Sequence, residues 1–150
     1  MSEIKLSGAA GVSRRLDSDT DFAKTVLDGI ASGDSVWLDV AAQLKPPSAA
    51  AEASLAMALA SALPRAPRKV LPLIGDNYTA DQVCGMPLLK ADSGEVIAYY
   101  GEAVTALGGV KDTSLTKTIL ICRTALDSSR SRRLQRIDPA YIIKKKPGGG

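Results

Sequence analysis

The sequence predicts an all-α protein: a single compact bundle of about six short helices around a central alanine-rich helix. Apolar residues make up 45 % of the 150-residue chain but aromatic residues only 4 %. Together with the scarcity of β-branched runs, this favours small, closely packed helices over a β-sandwich. Prolines and glycines divide the chain into short segments, most of which repeat apolar residues at helical spacing. The length suits one domain.

The alanine-rich segment 48–63, SAAAEASLAMALASAL, is the predicted centre of the bundle. Alanine and leucine lose little side-chain entropy in a helix, Ser48 is a good N-cap, and Pro64 ends the segment. Its leucines form an i, i+4 ridge, and its alanines let neighbouring helices approach closely. The segment is shorter than the roughly 20 residues of a membrane span. We therefore expect a scaffold helix that receives the Trp37 hairpin on one side and the Cys122 helix on another.

Two helices before this segment are predicted to form an αα-hairpin. The first begins near Leu16, and Gly33 suits its left-handed end. Asp34 then caps the second helix at once. Each helix carries apolar residues on one face: Phe22, Val26, Leu27 and Ile30 in the first, and Trp37, Val40, Ala41 and Leu44 in the second.

Three more helical segments follow the alanine-rich helix. Thr79 and Gln82 have capping-box spacing before a short turn that carries Cys84, and Asp92 and Glu95 have it before a longer helix. Asp112 caps the last helix, which either continues through Leu134 or frays beyond Asp127. The predicted apolar stripes are Ile97, Tyr100, Val104 and Leu107 in the longer helix and Leu115, Ile119, Cys122 and Leu126 in the last one.

The two cysteines, Cys84 and Cys122, both stand beside apolar residues. They form either a disulfide, which requires an oxidising compartment, or two separate buried thiols. The chain contains no histidine, which excludes Ser-His-Asp catalysis and histidine-bearing zinc sites, and two cysteines alone make a poor metal site. We therefore predict no catalytic, cofactor-binding or metal-binding residues.

Positive charge is concentrated at the C-terminal end. From residue 130 onward seven basic residues accompany one acidic residue, whereas the whole chain carries 19 basic and 16 acidic residues. We divide the chain into a flexible segment 1–15, a helical domain 16–129 and a partly disordered basic arm 130–150. Such an arm binds nucleic acid, an anionic surface or an acidic protein, or only keeps the chain soluble. The candidate binding residues are Arg130, Arg132, Arg133, Arg136, Tyr141, Lys144, Lys145 and Lys146.

Four stretches occur in order between residues 16 and 127: GDSVWLDVAAQL, ASLAMALASALPRAPRKVLPLI, VCGMPLL and ILICRTAL. Together they resemble small exported two-cysteine helical proteins of Gram-negative bacteria. Proteins of that size and style include immunity partners that neutralise secreted antibacterial toxins. The resemblance implies a periplasmic setting with Cys84 bridged to Cys122. Residues 1–15 lack the apolar core of a secretory signal, so we expect a periplasmic location if a signal has been replaced and a cytoplasmic one otherwise.

The sequence therefore favours a non-enzymatic protein-binding module, an immunity or inhibitor protein that acts through a helical surface. The alternative is a nucleic-acid or anionic-surface binding protein that uses the basic arm. The expected partner is another protein, no transmembrane segment is predicted, and the oligomeric state stays open.

Overall fold

The computed structural model describes residues 14–75, 77–86 and 93–137; of residues 136 and 137 it describes the backbone alone. Within these ranges the chain is all-α, as predicted, with short turns between helices and no β-strand. Residues 14–18 are helical and precede α1. The helices are α1 Thr20–Ala31, α2 Ser35–Gln43, α3 Ala49–Ala62, α4 Pro67–Val70, α5 Ala80–Cys84, α6 Ser93–Gly108 and α7 Thr116–Ile137, with 3-10 turns at Leu71–Leu73 and Thr113–Leu115.

The helix starts follow local capping signals. The Asp34 carboxylate accepts hydrogen bonds from two backbone N–H groups of α2, and the Ser48 hydroxyl accepts one from the N–H of Ala51 at 3.1 Å. Thr79 and Gln82 form the complete capping box. Each contact satisfies an N–H group that has no partner inside its helix. These predicted caps are confirmed, and Asp19 caps α1 in the same way.

The α3 helix is buried on several faces, as its composition predicts. Its leucine ridge lies in the core, and α1 and α5 make its most extensive helix contacts. The hairpin therefore reaches α3 through α1. The expectation that the Cys122 helix packs directly on α3 is corrected, because the short α5 lies between α3 and α7 and packs on both.

The hairpin of α1 and α2 is closed by a tryptophan stacked on a glycine. A Cβ atom at Gly29 would lie 2.6 Å from three ring atoms of Trp37, so only a glycine allows this approach. Gly33 follows α1 with a φ of +82°, the left-handed conformation predicted for it.

The apolar face of α6 differs from the predicted stripe. Val96, Tyr99, Ala103 and Leu107 are buried, whereas Ile97 is 53 % exposed. The hydroxyl of Tyr99 donates a hydrogen bond to the backbone carbonyl of Ala60 in α3, which holds α6 in this rotation. The predicted stripe is wrong at Ile97 because α6 carries apolar residues on two adjoining faces and their spacing does not decide between them. Asp92, the first residue of the predicted capping box, lies outside the described residues.

The last helix is continuous across the predicted boundary between domain and arm. It runs to Ile137, and Leu134 is buried against the body. Of the two predicted ends for the last helix, the structure therefore has the later one, beyond Leu134. The predicted division at residue 130 falls inside this helix. None of the described helices combines the length and apolar character that crossing a membrane requires.

Candidate binding surface on the last helix

The inner face of α7 is fastened to the turn at residues 84–86. Cys84 and Cys122 form a disulfide with their Cα atoms 5.4 Å apart, which confirms the bridged alternative. Two turns further along α7, the hydroxyl of Ser129 donates to the carbonyl of Gly85 at 2.7 Å. One turn beyond Ser129, the guanidinium of Arg133 donates to the carbonyl of Met86. These carbonyls lie just past the end of α5, where a helix leaves acceptors without partners. One covalent bond and two polar contacts thus hold a single turn.

Met86 shows how closely this turn is held. Its side chain is fully buried and its φ is +55°, a left-handed conformation that non-glycine residues rarely adopt. Such a conformation persists where the surroundings determine it, and here the neighbouring disulfide and the two polar contacts do so. The anchored side of α7 is therefore rigidly positioned on the body.

The outer face of the same helix exposes two large apolar side chains. Leu120 is 66 % exposed and Ile121 46 %, and the exposed Lys117 and Thr124 lie next to them on the helix surface. The run from Ile119 to Cys122 is apolar at four successive positions, which is wider than one helix face. Since α5 and α6 cover only part of the circumference of α7, some of these four residues point outward.

Beside this apolar pair lies a cluster of four residues, which we name the Tyr100 cluster: Tyr100, Arg123, Asp127 and Arg130. The hydroxyl of Tyr100 donates to a carboxylate oxygen of Asp127 at 2.5 Å. The guanidinium carbon of Arg130 lies 4.9 Å from the centre of the Tyr100 ring, and that of Arg123 lies 6.0 Å from it. Both distances lie within the range of cation–π attraction. The cluster therefore joins α6 to α7 across their exposed seam.

The charges of the cluster are unevenly compensated. Arg123 donates from Nε to Asp127 at 3.4 Å, and its pKa is raised first by its hydrogen bond with Tyr100 and further by Asp127. The Nε of Arg130 is buried and has no hydrogen-bond partner within the described ranges. Two arginines and one aspartate thus leave the cluster with one excess positive charge, on the side of Arg130.

The predicted basic residues do not form one patch in the described part of the chain. Arg130 belongs to the Tyr100 cluster, Arg133 points inward to Met86, and Arg132 is exposed. The side chain of Arg136 lies outside the described residues, as do Tyr141, Lys144, Lys145 and Lys146. The residues that the sequence analysis missed are Leu120, Ile121, Arg123 and Asp127. Two features of the sequence could have indicated them: the apolar run of four residues at 119–122 and the i, i+4 spacing of Arg123 and Asp127.

An apolar groove of about 250 Å³ opens elsewhere, between α1 and α3. Its apolar lining is Leu27, Ala31, Met57 and Ala58, and its polar lining is Asp28 of α1 with Ser54 and Ser61 of α3. Among the residues with known positions, no group of three or more cysteine and acidic side chains could hold a metal ion.

Comparisons of the chain with protein-family models, with curated proteins and with solved structures found no match.

Proposed function

We propose that this chain is a non-enzymatic protein-binding module, of the immunity or inhibitor kind, and that it binds through the outer face of α7. The observation that carries the proposal is the pair Leu120 and Ile121, adjacent, exposed and mounted on a helix whose opposite face is fastened to the body. Exposed apolar side chains gathered at one place are typical of protein interfaces, whereas scattered ones are ordinary.

The mounting of the helix supports this role. Binding costs less free energy when the binding surface is already ordered, because fewer side chains and loops must be immobilised. The disulfide and the contacts of Ser129 and Arg133 order the inner side of α7 before any partner arrives. Tyrosine and arginine, the residue types that dominate binding free energies in interfaces, stand beside the apolar pair in the Tyr100 cluster.

The disulfide also supports a periplasmic setting for the proposed function. Disulfides form and persist in oxidising compartments such as the bacterial periplasm and are rare in the cytosol. An immunity protein that meets its toxin there would need a fold that keeps its shape in that environment, and the Cys84–Cys122 bridge contributes such stability.

The experiment is co-purification from native lysate with wild-type protein and two matched variants, followed by mass spectrometry. Leu120→Asp places a charge on the proposed surface, and Val36→Asp places the same charge on an exposed valine of α2. We expect a protein partner with wild type and with Val36→Asp, and its loss with Leu120→Asp. Both sites are exposed, so both variants should stay folded, which thermal melting checks. Recovery of no partner, or equal recovery with all three proteins, would count against the proposal.

The alternative function is binding of nucleic acid or an anionic surface through the basic end of the chain. It is supported by the exposed Arg132 and Lys117 and by the basic residues that follow α7. Truncation after Ile137 is a cleaner test than truncation at residue 130, because it keeps the buried Leu134 and the contacts of Arg133. The alternative predicts DNA or RNA binding that weakens with salt and that this truncation abolishes. Binding that the truncation leaves unchanged would exclude residues 138–150 as its source and contradict this alternative.

A further inference from the structure

We propose that the Tyr100 cluster is a carboxylate-binding site, and that it receives an aspartate or glutamate side chain of a protein partner seated on the apolar pair of α7. The juxtaposition that carries this inference is a guanidinium, that of Arg130, held over an aromatic ring while the one carboxylate of the cluster is already bound by Tyr100 and Arg123. The inference rests on the proposed protein-binding function and names the chemistry of the partner.

The first step concerns the orientation of Arg130. A guanidinium on the face of a tyrosine ring is held there by the ring quadrupole, and its planar fork is then ready to donate to a carboxylate. Arg130 is half-buried and lies 4.9 Å from the ring centre. The Arg130 side chain is therefore already ordered before an acid arrives, so binding does not have to immobilise it. This smaller entropy cost is the usual source of affinity in a preformed site.

The second step concerns the charges around Arg130. Asp127 is the acidic member of the cluster, but its carboxylate already accepts from Tyr100 and from Arg123. The positive charge of Arg130 consequently has no carboxylate of its own in the cluster. An incoming carboxylate supplies this missing opposite charge and accepts charge-assisted hydrogen bonds from the guanidinium.

The third step chooses a protein over a nucleic acid as the occupant. A nucleic acid gains affinity from many phosphate contacts along a basic track, whereas the Tyr100 cluster has a single excess positive charge, which suits one ion pair. Leu120 lies ten residues before Arg130, about 15 Å along the axis of α7. A protein interface is wide enough to cover both positions, so one partner surface presents an apolar residue to the pair and an acidic residue to Arg130.

The test uses the full-length protein with fluorescently labelled poly-L-glutamate as the probe, measured by anisotropy at fixed salt. Arg130→Gln removes the proposed anchor, and Arg132→Gln removes the same charge from an exposed position two residues away on α7. We expect Arg130→Gln to weaken binding about tenfold, the loss of one charge-assisted hydrogen-bonded contact, and Arg132→Gln to weaken it less than about twofold. In the wild type, the NMR signal of the Arg130 Nε–H group should shift and saturate with added probe.

A third variant separates orientation from charge. Tyr100→Leu keeps both arginines but removes the ring, so it should also weaken binding, and circular dichroism and melting confirm that each variant is folded. Equal losses with Arg130→Gln and Arg132→Gln would overturn the inference in favour of diffuse charge attraction. Tighter binding of single-stranded poly(dT) than of poly-L-glutamate, lost in Arg130→Gln, would overturn it in favour of nucleic acid. A lysate partner retained by Arg130→Gln but lost by Leu120→Asp would refute the carboxylate site and leave the protein-binding function standing.

Discussion

The hydroxyl of Tyr99 replaces a helical hydrogen bond that proline has removed. In α3 the carbonyl of Ala60 would accept from the N–H of residue 64, but that residue is proline and has no N–H. Tyr99 donates to this carbonyl at 2.5 Å from α6. The hydroxyl of Tyr78 is the opposite case, because it is buried without a hydrogen-bond partner in the described structure. The two tyrosines therefore allow a direct comparison between a buried hydroxyl that makes a hydrogen bond and one that does not.

We predict that Tyr99→Phe lowers the free energy of unfolding by about 1 to 3 kcal/mol, because it leaves a buried carbonyl without a donor. Tyr78→Phe should leave that free energy unchanged or raise it, because it removes a hydroxyl that makes no bond. Urea unfolding followed by circular dichroism measures both. Equal losses in the two variants would show that the Tyr99 bond contributes nothing beyond packing.

Alkaline pH should destabilise the fold through the same two residues. Burial raises the pKa of Tyr78 to about 12, with a further contribution from the charge of Glu52, and burial also raises the pKa of Tyr99. A tyrosine whose folded pKa is raised stabilises the fold fully below its unfolded pKa, near 10, and loses this contribution as pH rises through the folded value. We expect stability to fall between about pH 10 and 12. The fall should be smaller in Tyr78→Phe, and identical pH profiles for wild type and variant would contradict the assignment.

Gly29 and Gly101 should respond in opposite directions to the same substitution. Gly29→Ala forces a methyl group against the Trp37 ring and should cost about 1 to 3 kcal/mol, the usual range for overpacking. Gly101→Ala adds a methyl group to the exposed side of α6, where it would meet nothing beyond the adjacent backbone of its own helix, and should stabilise by up to about 1 kcal/mol. Thermal melting compares them. A destabilised Gly101→Ala would show that the open face of α6 is in contact with something.

At the scale of the element, the helix starts were predictable because the caps are local. Ser48, Asp34 and the pair Thr79–Gln82 act on N–H groups two or three residues away, so the information lies within one turn of sequence. The contacts of Ser129 and Arg133 with the turn at 84–86 span 44 and 47 residues. No local pattern encodes which carbonyl an arginine will meet at that separation. For this reason the sequence predicted Arg133 as a surface binding residue, although its side chain holds the turn at residues 84–86.

The rotation of α6 shows the same limit for packing. Ile97 and Val96 are neighbours in sequence, and both fit an apolar stripe. Which of them is buried depends on where α3 and α7 stand around α6, a tertiary property that periodicity does not contain. The exposure of Leu120 and Ile121 could not be predicted from the sequence either, since it depends on how much of α7 the neighbouring helices cover.

We predict that enlarging the buried alanines of α3 destabilises the whole bundle. Ala56→Leu and Ala60→Leu should each cost about 1 to 3 kcal/mol, because these residues lie in the close-packed interior. Ala53→Leu, at an exposed position of the same helix, is the control and should change stability by less than about 0.5 kcal/mol. Unchanged melting temperatures in the two buried variants would place α3 at the edge of the core instead of its centre.

At the scale of the whole molecule, the disulfide should supply a large part of the stability. It joins residues 38 positions apart, and in the loop-entropy model a closure of this length contributes roughly 4 kcal/mol. We predict that Cys84→Ala with Cys122→Ala lowers the free energy of unfolding by about 2 to 5 kcal/mol, a large fraction of what a small domain possesses. Urea unfolding of the oxidised, reduced and double-variant proteins tests this. A double variant as stable as the oxidised protein would show that packing and the contacts of Ser129 and Arg133 suffice.

The same bridge makes a covalent ring of the residues from Cys84 to Cys122, and α6 lies wholly within that ring. A protease that cuts the backbone once inside the ring, for instance at a recognition sequence inserted between Gly108 and Gly109, leaves two chains that stay joined through sulfur. They migrate together on a gel without reductant and separate once it is added. The outer surface of α7 thus keeps its covalent tie to the body after a cut that would otherwise release it.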